Sequence, residues 1–178
     1  MNMLFPKHWQ SRALKSLLTT LVLASALTTI AIAGSVRIGD SFPELTGFGL
    51  EGTLPDTKGK VVLLDFWASW CAPCKKSFPV MKELHEKFGS RGFLVLAISV
   101  DEQQAALQNF LKKDPPPFIV LRDAKGRLAE AAGVEKMPTS FLIGANGKVT
   151  GLHSGFDGES TRKKYLSEIE SALTTAGK

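Results

Sequence analysis

The chain changes its hydrophobic period once between residues 61 and 88, and both of its cysteines sit on the change. Val61–Trp67 (VVLLDFW) is a continuous apolar run broken by one acid, the pattern of a strand buried on both faces. From Ala72 to Phe88 the pattern turns helical: Phe78, Met81, His85 and Phe88 recur at alternating short steps and share one helix face. Gly89 and Gly92 end that helix, and residues 93–100 (FLVLAISV) read as a second buried strand. A buried strand, a crossover helix and another buried strand leave little choice of fold. Such a unit packs right-handed, with parallel strands and the helix lying on the sheet.

The rest of the chain extends that unit. Asp101 is placed to cap a helix whose apolar stripe is Leu107, Phe110 and Leu111, and Asp114-Pro115-Pro116-Pro117 stops it. Residues 118–121 read as a short strand and 125–132 as a brief helix closed by Gly133. Thr139–Ile143 and residues 148–153 form a hairpin in which Asn146-Gly147 supplies the turn. Residues 160–175 close the chain as an amphipathic helix with Tyr165, Leu166, Ile169 and Leu173 inward. Residues 34–60, with Pro43 and Pro55, are an irregular lead-in with room for one short strand. The order is β-α-β-α-β-α-β-β-α, an α/β fold with a mixed central sheet and helices on both faces. With 178 residues, 44% of them apolar, the chain fits one such domain plus a targeting segment.

That segment is residues 1–33. Lys7, Arg12 and Lys15 form a basic start, and an uncharged apolar stretch follows, ending on Ala31-Ile32-Ala33. Small residues two apart at the end of such a stretch are what a signal peptidase accepts, so residues 34–178 form the exported domain. The alternative is an uncleaved N-terminal membrane anchor. Either way the domain is expected outside the cytoplasm, in a bacterial periplasm. The signal region takes three of the chain's five net positive charges, leaving +2 on the domain, with no dense basic stretch. A nucleic-acid partner is not expected.

The only two cysteines are Cys71 and Cys74. The stabilisation from a structural disulfide grows with the loop it closes in the unfolded chain, and two intervening residues close almost nothing. Zinc needs about four ligands where this pair offers two. A haem attachment site would need His where Lys75 stands. Redox chemistry remains. At a helix start the unpaired N–H groups and the helix dipole favour a thiolate at Cys71, which attacks a disulfide; Cys74, one turn inside, displaces the product. Asp65, a lone acid in a buried strand, is pushed toward neutral pKa by burial and is a candidate acceptor, through water, of the Cys74 proton.

The segment from Val61 through Trp67-Ala68-Ser69-Trp70-Cys71-Ala72-Pro73-Cys74-Lys75, with Pro79 beyond it, resembles the thioredoxin active-site segment. Met137-Pro138-Thr139-Ser140-Phe141-Leu142-Ile143 resembles the cis-proline strand of that superfamily. The insertion between Val100 and Phe118 and the export signal are similar to the TlpA/ResA-like exported thioredoxins. This resemblance covers roughly residues 36–175 and implies the thioredoxin fold. It implies Cys71 as nucleophile, Cys74 as resolving thiol, and Asp65 as the buried carboxylate beneath them. Pro138 would be cis and face the disulfide, with the Met137 backbone, Trp70 and Pro73 completing the surface that clients meet. Trp67 is read as core and Pro79 as a tolerated kink. No cofactor beyond the Cys71–Cys74 disulfide is implied, and no metal. Two departures stand out: Ala97 occupies the place of the lysine that thioredoxins commonly set near the buried Asp, and Ser77 that of a glutamate common in ResA-like proteins.

The leading functional expectation is a periplasmic reductase that exchanges disulfides with client proteins and is fed by a membrane electron donor. An oxidant of secreted proteins is one alternative, although DsbA-like proteins usually carry His where Pro73 stands. A non-catalytic binding or metal-delivery module is another; such modules usually lose a cysteine or gain a nearby His, and this chain does neither.

Overall fold

Seven consecutive buried residues make Val61–Trp67 the central strand, β1. The computed structural model describes residues 35–177, so the expected signal or anchor over residues 1–33 lies outside the described residues. After β1 come α1 (Ala72–Phe88), β2 (Phe93–Ser99), α2 (Gln104–Lys113), β3 (Ile119–Arg122), α3 (Arg127–Ala132), β4 (Thr139–Ile143), β5 (Val149–Ser154) and α4 (Gly158–Ala176). The sheet runs β3-β2-β1-β4-β5. β1, β2 and β3 are parallel, while β4 and β5 run antiparallel to their neighbours. The expected element order is the one observed, and it is the thioredoxin fold.

Strand alternation divides the core. Val61, Leu63 and Trp67 face one way and pack with α1, with Leu107 of α2, and with Tyr165 and Ile169 of α4. Val62, Leu64 and Phe66 face the other way, against Leu128, Ala129 and Ala132 of α3 and the lead-in residues Phe42, Leu45 and Phe48. Trp67 is fully buried core, its ring 4.4 Å from that of Phe78 and 5.0 Å from that of Phe110, which seats α1 and α2 against β1.

Three local expectations are corrected. The buried stripe of α1 is Cys74, Ser77, Phe78, Met81, Leu84 and Phe88; a period of 3.6 brings Leu84 to its centre and leaves His85 half-buried at its margin. The lead-in forms no strand, only single bridges from Ser41 to Lys148 and from Glu51 to Arg122. α3 starts at Arg127 because the Asp123 carboxylate accepts the N–H groups of Arg127, Leu128 and Ala129 at 2.8–3.0 Å. Among the described residues no helix is long and apolar enough to cross a membrane.

Candidate active site

Cys71 and Cys74 form a disulfide at the start of α1, S–S 2.09 Å. Cys71 is the N-cap, in extended backbone, and its Sγ accepts the Cys74 N–H at 3.3 Å. That donor belongs to the set which a helix start leaves without an intrahelical partner. Pro73 lies in the first turn, where a missing N–H breaks no helix bond.

The loop entering α1 is fixed from the end of β2. The Asp101 carboxylate accepts the Ser69 N–H at 2.9 Å and the Ser69 hydroxyl at 2.7 Å. It also accepts the Ser99 hydroxyl at 2.7 Å. Asp101 is therefore not the cap of α2, which begins at Gln104 without a side-chain cap. The parallel register sets Trp67 beside Ser99, and this brings the buried Asp101 carboxylate against the loop that follows β1. Arg122 clamps the same turn, donating to the carbonyls of Asp101 and Glu102 and pairing with Glu51 at 2.7 Å.

The two sulfurs are unequally covered: Cys74 is fully buried, while Cys71 keeps 6% of its surface. The open helix start expected for Cys71 is thus a narrow window onto one residue. Beside it Trp70 is 68% exposed and Pro73 is exposed. Met137 packs, half-buried, against the cluster that contains both cysteines. The Met137–Pro138 peptide bond is cis. Pro138 precedes Thr139, the partner of Phe66, and so lies level with the end of β1 from which α1 departs. The residues expected to meet clients are gathered at one end of the sheet.

Asp65 is 1% exposed and, by alternation with Leu63 and Trp67, lies on the sheet face that α1 covers. Its register partners are Ala97 on β2 and Ser140 on β4. Ala97 does occupy the neighbouring position, so β2 supplies no cation there. The Ser140 hydroxyl donates to Asp65 Oδ1 at 2.5 Å and meets the Tyr165 hydroxyl at 2.7 Å. Asp65 Oδ2 is buried without a hydrogen-bond partner. Burial pushes the carboxyl up to about 7 against the opposing Ser140 hydrogen bond. Ser77, the other departure, is buried and donates its hydroxyl to the Cys74 carbonyl at 2.8 Å.

Sequence reasoning missed Asp101, Ser140 and Tyr165. Their signals were faint: an acid that also suited a helix cap, a hydroxyl inside an apolar strand, and the chain's single tyrosine on an inward helix face.

The chain matches the Redoxin family model over residues 37–171. It is 38% identical over 137 residues to the thiol-disulfide oxidoreductase ResA of Bacillus thuringiensis subsp. konkukian, covering 75% of this chain and 79% of that one. To ResA of Bacillus subtilis it is 38% identical over 122 residues, 68% of each chain. A Chlorobium tepidum structure described as the thiol:disulfide interchange protein DsbE superposes with a TM-score of 0.73 at 41% identity, covering 78% of this chain and 99% of that one.

Proposed function

This chain belongs to the Redoxin family and is a thiol–disulfide oxidoreductase, and we propose that it acts outside the cytoplasm as a reductase of client disulfides. The observation that supports the roles is the pairing of a disulfide at a helix start with a buried carboxyl near 7 on the same sheet face. The Cys71 thiolate attacks one sulfur of a client disulfide, forming a mixed disulfide and releasing the other client sulfur as a thiolate. Cys74 then loses its proton to Asp65 and attacks Cys71 Sγ. The Cys71–Cys74 disulfide forms, the second client thiol leaves, and two electrons have passed to the client. A membrane electron donor reduces the pair again. Trp70, Pro73, Met137 and the cis Pro138 form the rim on which a client strand rests.

The Trp-Cys-x-Pro-Cys surround, like that of reducing thioredoxins, supports the direction of flow. Alkylation in the native compartment tests it: a pair resting reduced supports the reductase, and a pair resting oxidised overturns it. Insulin reduction by the reduced protein tests the exchange itself. Cleavage after Ala33 is expected, so the mass of the exported protein should match residues 34–178; residues 1–33 retained in the membrane fraction would show an anchor.

In the reduced protein Cys71 should alkylate near neutral pH about tenfold or more faster than Cys74. The cause is its place at the helix N-terminus, where the Cys74 N–H points at its sulfur, set against the full burial of Cys74. Equal rates, measured by peptide mass after timed alkylation, would contradict the assigned roles.

A further inference from the structure

Two hydroxyl groups stand in line behind the buried carboxylate. The antiparallel register of β1 and β4 sets Ser140 opposite Asp65, and Tyr165 reaches the same point from α4. All three residues are at most 2% exposed. Ser140 has one proton to give. With that proton directed to Asp65 Oδ1, the Ser140 oxygen can only accept, so Tyr165 is the donor in the 2.7 Å contact. Burial, and after it the charge of Asp65, push the Tyr165 phenol well above its usual range. Tyr165 therefore keeps its proton wherever the thiols react. The two donors form one hydrogen-bond chain that ends on Oδ1, while Oδ2 has no hydrogen-bond partner.

We infer that Ser140 and Tyr165 are positioning residues for Asp65: their hydrogen-bond chain occupies Oδ1 and leaves Oδ2 as the oxygen that takes the Cys74 proton. The inference rests on the proton-acceptor role proposed above for Asp65. The physical need is plain from the neighbours. α1 brings the two cysteines to this face, and α4 brings Tyr165 with Glu168 beyond it. β5 brings His153, whose ring meets Tyr165 edge-on at 5.0 Å and whose Nε2 pairs with Glu168 at 2.7 Å. β2 brings only Ala97. Among the described residues, a carboxylate formed here has hydroxyl dipoles rather than a cation to stabilise it. A chain of two polarises each donor more than either would be alone.

The test is the titration of Asp65, followed by its side-chain carboxyl carbon shift in the reduced and oxidised protein. Ser140→Ala removes the donor to the anion and should raise the midpoint by about one pH unit. Tyr165→Phe weakens the same donor indirectly and should raise it by less. Ser140→Thr keeps a hydroxyl and should titrate near the parent, a rescue that a merely space-filling role would not predict. Should Ser140→Ala fail to fold, Tyr165→Phe carries the test, since it keeps the ring. An unmoved midpoint in folded Tyr165→Phe and Ser140→Ala, or a Thr variant shifted as far as Ala, overturns the inference. The acceptor role of Asp65 is read separately, from mixed-disulfide resolution in Asp65→Asn, so the two failures are distinguishable.

Discussion

Replacing Cys74 with serine is expected to trap the protein on its clients as mixed disulfides and to abolish most of its turnover. Cys71 keeps its place at the helix start and its window to solvent, so first attack is preserved. Serine is close in size to cysteine, and the fully buried position needs no repacking. What disappears is the internal nucleophile. An intramolecular thiol acts at an effective concentration far above that of any external thiol, so resolution should slow by on the order of 10³-fold or more. Expressed in its native compartment, the variant should run as reducible higher-mass adducts on a non-reducing gel. Cys71→Ser should give few adducts, because Cys74 has no exposed surface from which to attack. Equal adducts in both variants would reverse the order of attack, and none in either, with export confirmed, would speak for a binding module. The trapped partners also report the direction of flow. Copper-site or haem-ligating cysteine proteins would fit a dedicated reductase, and secreted proteins with structural disulfides an oxidant or isomerase.

What the sequence made legible was whatever depends on neighbours in the chain. The change of period at residues 67–72 places the cysteines, and strand alternation puts Asp65 on the same side as Leu63 and Trp67. The site's support was not legible, because it is built across the sheet. Ser140 lies 75 residues from Asp65 and Tyr165 a further 25 beyond, and only the β1–β4 register and the docking of α4 bring them together. Asp101 shows how local reasoning misleads. An acid a few residues before a helix reads as its cap, yet a partner 32 residues upstream, Ser69, holds the carboxylate instead. His85 failed for a smaller reason: a face drawn through three- and four-residue steps drifts, and Leu84 lay nearer its centre.

Asp65→Asn should show two effects of opposite sign, both governed by pH. Resolution of mixed disulfides should slow by about 10²-fold near neutrality, since an amide cannot take the Cys74 proton. The deficit should shrink at high pH, where the Cys74 thiol ionises without help from a base. Stability should move the other way. Burial pushes the Asp65 carboxyl of the folded protein up to about 7, from an ordinary value of 3.8. Between those values the folded state holds a proton that the unfolded chain has released, so stability falls as pH rises, by about 1.4 kcal/mol per unit. The contribution is fully present below about pH 4 and is gone above about pH 7, a total of about 4 kcal/mol. Asn has no such titration. The variant should therefore gain stability relative to its parent steadily from pH 4 to pH 7 and hold that gain at higher pH. Urea unfolding of the oxidised proteins across this range measures the difference, and its slope is independent of any fixed offset from the new amide. A flat difference would mean that Asp65 is ionised in the fold throughout. A sloping difference with unchanged resolution would leave Asp65 a strained acid with no part in the proton transfer. Slope and kinetic deficit together would mean that the fold gives up stability near pH 7 to keep a base beneath Cys74.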